Sequence, residues 1–199
     1  MMRARLLGIA ALLLSGSLLA TTGCLGGGAQ TRFYVLAPLA GPVATAADSR
    51  PVTIGVGPVR LPGYIDRAPL VTRRGAEEID VADLDRLGEP LADGVPRIIA
   101  DNLATLMPAA RIALFPWSGS RAPQYQVVIE VARFDGPLGG ALVLDARWRV
   151  IGPDRRDPSE HRFSVAEPTG APTYPALVAA MSRALDGLSR EIAGALKAL

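Results

Sequence analysis

The 199 residues contain one cysteine, Cys24, and one histidine, His161. That count rules out a zinc site of His and Cys ligands and a Cys–His catalytic dyad. No Gly-x-Ser-x-Gly nucleophile elbow occurs, and Ser118-Gly-Ser120 reads as a loop tip instead of a strand-to-helix turn. Gly55-Val-Gly57 lies inside a strand pattern, with no helix carrying Lys or Ser/Thr behind it, so it is no phosphate loop. Charge of one sign is not in excess either: 21 basic residues stand against 19 acidic ones. Arg3 and Arg5 make the difference, so a chain processed before residue 24 is neutral. It lacks the basic stripe of a nucleic-acid binder.

What the chain does have begins at its start. Arg3 and Arg5 precede Leu6–Ala20, an uncharged and mostly apolar run, and Thr21-Thr22-Gly23-Cys24 follows in small residues. A basic start, a short apolar run and a small-residue cleavage site mark residues 1–23 as a secretory signal peptide. The run is too short and too lightly flanked for a retained membrane-spanning helix. A lone cysteine in an exported chain has no internal disulfide partner and calls for another role. Residues 24–31 include Leu25-Gly-Gly-Gly-Ala-Gln30, the composition of a flexible tether. Residues 32–199 suffice for one domain with a sizeable core.

Periodicity predicts the elements of that domain. Arg32–Leu36 is a short aromatic and β-branched strand, and Gly41–Pro51 a loop. Val52–Val59 alternates, with Thr53, Gly55 and Gly57 giving one small-residue face that a neighbour can approach closely. Leu70–Arg73 and Glu77–Val81 read as a hairpin turning at Arg74-Gly75. Leu91–Met107 carries a helical apolar stripe, with the regular helix expected from about Pro96 because proline does not sit deep in a helix. Arg111–Phe115 is a strand. Tyr125–Phe134, Ala141–Ile151 and the segment around His161, Phe163 and Val165 form an antiparallel meander with one buried face. Thr173 N-caps a last helix with Pro175 in its first turn. Its stripe runs Leu177, Met181, Leu185, Leu188, Ile192, Leu196, Leu199, either laid on the sheet or shared with a partner chain. The fold class expected is α+β (α/β): a single domain, mostly antiparallel sheet, covered by two amphipathic helices.

Several of these residues carry a resemblance. Thr21-Thr22-Gly23-Cys24 resembles the end of a bacterial lipoprotein signal, although Thr21 stands where Leu is usual. The resemblance implies cleavage between Gly23 and Cys24 and lipidation of Cys24, with no cofactor beyond that covalent lipid. Two or three acyl chains there would anchor the protein essentially permanently. Leu25 in place of Asp after the cysteine favours the outer membrane, by similarity to enteric sorting rules. Ile54-Gly-Val-Gly-Pro-Val-Arg-Leu-Pro-Gly-Tyr-Ile-Asp-Arg67, Val71-Thr-Arg73, Glu89-Pro-Leu91, Asn102-Leu103, Pro116-Trp117, Tyr125–Asp135, Trp148 and Tyr174-Pro-Ala-Leu resemble the PqiC-type, or ABC-transport auxiliary, lipoproteins. Leu87-Gly88 stands where that family usually carries a Trp. The resemblance implies an outer-membrane lipoprotein facing the periplasm, with a compact α/β fold and assembly into rings in some members. It implies work beside MCE-domain tunnel proteins and their inner-membrane transporter; the neutral charge of the processed chain, for its part, gives no reason to expect a nucleic-acid partner.

The residues singled out for contact lie in the Pro/Gly loop Leu61-Pro62-Gly63-Tyr64-Ile65-Asp66-Arg67. Tyr64 and Ile65 are expected at an exposed tip, where aromatics anchor interfaces. Asp66 and Arg67 either pin the loop or meet the tunnel protein. Trp117 is a core lid or an interface anchor, Trp148 a core residue, and His161 a packed core or edge histidine. Glu77, Glu78 and Asp80 read as a solvated hairpin. No metal site is expected. The function expected is that of a non-enzymatic docking subunit in intermembrane lipid transport. The alternatives are a lipid carrier holding an acyl chain between sheet and helices, and a periplasmic hydrolase.

Overall fold

The strongest alternating patterns become the centre of the fold. The computed structural model describes residues 29–41, 52–117, 122–154 and 160–199. Its strands are β1 Arg32–Tyr34, β2 Thr53–Arg60, β3 Pro69–Arg73, β4 Ile79–Leu87, β5 Arg111–Leu114, β6 Tyr125–Asp135, β7 Ala141–Ile151 and β8 Glu160–Pro168. The helices among the described residues are α1 Leu91–Leu106 and α2 Tyr174–Lys197. The expected signal peptide 1–23, Cys24 and the tether up to residue 28 lie outside the described residues, as does Ser118-Gly-Ser120. Thr31–Leu199 forms one compact unit.

The meander is present: β6 pairs antiparallel with β7, and β7 with β8. Ile129, Trp148 and His161 stand in one transverse row, and Val131, Ala146 and Phe163 in another. The rest of the sheet differs in kind. β2 pairs parallel with β6 on one edge and parallel with β5 on the other, giving the order β5-β2-β6-β7-β8. The sheet is therefore mixed, with α1 as the crossover between β2 and β5 that parallel neighbours require. A bulge interrupts the β2–β6 register between Val56 and Val59, and Gly57 there has φ 118°, a backbone shape that favours glycine.

A second sheet has the order β1-β4-β3. The β3–β4 hairpin forms as expected, but β4 runs on to Leu87 instead of stopping at Val81. Asp83, Asp85 and Arg86 break its apolar alternation and hide the extension, which β1 stabilises by pairing parallel with Asp85–Leu87. β1 itself ends at Tyr34, two residues short of the expected Leu36.

Helix α1 is regular from Leu91, not from Pro96, which lies within it. Proline removes one N–H, and the carbonyl four residues back is that of Ala92, which is exposed. The helix start is held from outside: the Pro90 carbonyl accepts from the Asp93 and Gly94 N–H groups. Asp66 Oδ1 accepts from Ala92 N–H at 3.1 Å. In α2 the Thr173 hydroxyl oxygen accepts from Ala176 N–H, as the sequence predicts. Its stripe is buried through Leu196, but the helix ends at Lys197 and Leu199 is exposed.

Both helices pack on one face of the five-stranded sheet, α1 toward β2 and β5, α2 toward β7 and β8. Ile54, Val56, Ile98, Leu103, Ile129, Leu144, Leu185 and Leu188 fill the space between, all fully buried. One buried polar residue ties the helices together. Asn102 of α1 donates to Asp186 Oδ1 and Ser189 Oγ of α2 at 3.0 and 3.2 Å, and accepts from Leu39 N–H at 2.7 Å. Every hydrogen-bonding direction of that amide but one is thereby used, which makes its burial tolerable.

Candidate interaction site

The loop Leu61–Arg67 leaves the carboxyl end of β2. Pro62 and Gly63 turn it, and the Ile65 N–H closes on the Pro62 carbonyl at 3.1 Å. This turn aims Tyr64 and Ile65 inward, correcting the expectation of an exposed apolar tip. Ile65 joins the core, and half-buried Tyr64 packs against it. The tyrosine hydroxyl donates to Asp135 Oδ2 at 2.5 Å. Asp135 is the last residue of β6, its side chain wholly buried. Arg73 of β3 reaches it with Nε at 2.7 Å and Nη2 at 2.9 Å, and Arg133 Nε at 3.0 Å. The Arg73 guanidinium also lies over the Tyr64 ring, 5.7 Å from its centroid.

The Asp135 cluster therefore joins the small sheet, the large sheet and the loop at one carboxylate. Burial pushes the Asp135 carboxyl up, but hydrogen bonds from Arg73, Tyr64 and Arg133 together outweigh it and hold the group below its ordinary value. Burial, followed by the hydrogen bond to Asp135, pushes the Tyr64 hydroxyl up. Both groups are thus held in the protonation states that bond to each other. Asp66 serves structure as well, through the start of α1. What the loop shows to solvent is Gly63, Asp66 and Arg67, with Leu61 and Pro62 half-buried at its shoulder.

The segment after β5 offers a second candidate surface. β5 is parallel to β2, with Val56 opposite Leu114, so it ends alongside the middle of β2 and not at Arg60. Phe115 and Trp117 meet edge to face, ring centroids 5.3 Å apart. Trp117 folds back over Gly55: a Cβ there would lie 2.7 Å from the indole and 2.5 Å from Pro123. The small-residue face of β2 is thus filled by these two side chains, on the sheet face opposite the helices. Trp117 is half-buried, while Leu114 and Phe115 are 45% and 50% exposed. The sequence reading missed Leu114 and Phe115 as surface residues. The available signal was the brevity of the strand and its immediate run into Pro116-Trp117.

Beyond Trp117 the open sheet face is polar. Arg60, Glu130, Arg147 and Arg162 stand in one register row and Val128, Arg149 and Glu160 in the next. A shallow hollow of about 200 Å³ lies there, lined by Arg60, Gln126, Glu130, Arg147 and Arg149 among others. Trp148 is buried and donates its indole N–H to Glu191 of α2 at 3.1 Å. His161 stacks on it, ring centroids 4.2 Å apart, matching the packed histidine expected. Among the described residues no group of three His, Cys, Asp or Glu side chains could hold a metal ion. No described helix is long and apolar enough to cross a membrane.

Comparison with known proteins assigns the family. The model of the ABC-type transport auxiliary lipoprotein component matches residues 34–193, and the chain belongs to that family. No curated protein matches it. A crystal structure of an uncharacterized protein aligns with TM-score 0.71 at 18% identity, covering 84% of this chain and 99% of the other. Protein XCC0632 from Xanthomonas campestris aligns with TM-score 0.64 at 19% identity, covering 82% of this chain and 93% of the other. At these identities the likeness is one of fold.

Proposed function

We propose that this auxiliary lipoprotein is a non-enzymatic subunit, held by lipid on Cys24 at the periplasmic side of the outer membrane. There it docks the end of an MCE-domain tunnel protein that works with an inner-membrane transporter in lipid transport. Family membership supplies the transport setting. The observation that supports the docking reading is the Phe115–Trp117 pair just after edge strand β5, with Phe115 half exposed and the half-buried indole held over Gly55. Apolar groups held in place before binding lower the ordering cost of association. The packed space between helices and sheet favours docking over the carrier reading, in which an acyl chain would lie there. Assembly of several copies into a ring belongs to the same proposal.

The test is co-purification of the MCE partner with wild type, Phe115→Ala, Trp117→Ala and Arg67→Ala chains. Loss of an aromatic anchor should weaken binding by about 2 kcal/mol, roughly thirtyfold. Unchanged binding by a folded Phe115→Ala/Trp117→Ala/Arg67→Ala chain would remove this surface from the interface. Cys24→Ser should abolish fatty-acid labelling. Persistent labelling of that variant would place the anchor elsewhere.

A further inference from the structure

We propose that Phe33, Val35 and Arg86 form the edge by which the domain rests on the bilayer that holds its own anchor. β1 and the two residues after it divide their side chains between two faces. Tyr34 and Leu36 turn inward: the Tyr34 hydroxyl donates to Asp85 at 2.6 Å, and Leu36 is 5% exposed. Phe33 and Val35 turn outward and are 66% and 65% exposed. Phe33 stands in register beside Arg86 of β4, also exposed. Arg32 is tied to Asp85, whereas Arg86 makes no ion pair among the described residues.

Single exposed apolar residues are ordinary on a protein surface. These are set apart by their place in the chain. Phe33 lies nine residues after Cys24, a connection that spans at most about 32 Å when fully extended. The inference rests on the reading of Cys24 as the lipid anchor. That anchor keeps the β1 edge close to the membrane at high effective concentration, so a weak contact suffices. A bilayer offers what the two kinds of side chain lack. Its acyl boundary takes Phe33 and Val35, and anionic headgroup phosphates take the Arg86 guanidinium.

The test uses the mature chain in vesicles of phosphatidylethanolamine and phosphatidylglycerol. A nitroxide is placed at Val35→Cys and, as a reference, at Gly75→Cys, where an added side chain meets nothing within 4 Å. Acylation blocks the Cys24 sulfur, so only the introduced thiol is labelled. At residue 35, collisions with oxygen should rise and collisions with a water-soluble nickel complex should fall several-fold relative to residue 75. Adding Phe33→Ser and Arg86→Ala should return residue 35 to the reference value. Aqueous behaviour at residue 35, in a chain whose Cys24 carries acyl groups by mass spectrometry, overturns this proposal and leaves the anchor standing. Protection from both reagents already in detergent identifies a protein occupant and also overturns it. Absence of acyl mass on Cys24 overturns the anchor and this inference together.

Discussion

The Tyr64 hydroxyl and the Asp135 carboxylate meet at 2.5 Å across 71 positions of sequence, tying the loop after β2 to the last residue of β6. A side chain held this way is part of the loop's foundation. Tyr64→Phe removes one hydrogen bond to a buried charge and should cost about 1.5–3 kcal/mol. Tyr64→Ala should cost more, because the ring also packs against the core. Equilibrium denaturation of the two variants checks this. A midpoint for Tyr64→Ala equal to wild type would show that the loop is held by other contacts.

The same carboxylate predicts an acid transition. Asp135 is held below its ordinary value of 3.8. Its stabilisation is therefore complete above that value and is lost as pH falls through the lowered one. Tyr64 titrates in the opposite sense: its raised value keeps the hydroxyl a donor, and that contribution is lost only at strongly alkaline pH. The stability difference between wild type and Asp135→Asn should be constant from pH 5 to 8, by about the linkage expected for one carboxylate, and shrink below pH 4. A difference that stays constant to pH 2 would separate Asp135 from the acid limb.

Asn102→Ala should leave Leu39 N–H and the Asp186 carboxylate without their partner at the α1–α2 contact. Burial already pushes the Asp186 carboxyl up, against the Asn102 hydrogen bond that lowers it, so removal of the amide should raise it further. The expected cost is about 1–3 kcal/mol. Proton-exchange rates at Leu39 and an NMR titration of Asp186 report the two losses separately.

Gly55→Val should displace Trp117 without touching the helix-facing core. The new side chain would occupy the space now filled by the indole and Pro123. Tryptophan fluorescence should shift to the red through Trp117 alone, since Trp148 is buried on the other face. If the emission maximum stays in place, Trp117 does not rest on Gly55.

The parts of this fold that alternate without interruption were legible in the sequence. The β6–β8 meander, the stripe of α2 and its Thr173 cap follow from local periodicity and capping chemistry. Trp148 and His161 could be placed by the same alternation. The parallel pairing of β2 with β5 and β6 could not, because strand direction depends on a crossover and leaves no periodic mark. The extension of β4 is hidden by Asp83, Asp85 and Arg86, and its last residues are paired by β1, which holds Asp85 from 53 positions away through Arg32. α1 passes through Pro96 because contacts outside the helix, from Pro90 and Asp66, secure its first turn. Tyr64 was misplaced for a related reason. An aromatic residue after Pro-Gly reads as exposed until the distant Asp135 is known to be its acceptor.

The central place of β2 has a consequence for a chain that is made from its N-terminus. β2 ends at Arg60, and β6, which closes one of its edges, begins at Tyr125. In a chain that emerges N-terminus first, that edge stands open until everything from β3 to β5 has followed. An unpaired strand edge is a template for wrong partners. β6, β7 and β8 are joined by short connections and zip together quickly once they emerge. The last third of the chain thus acts as the closing half of a seam whose first half is laid down long before.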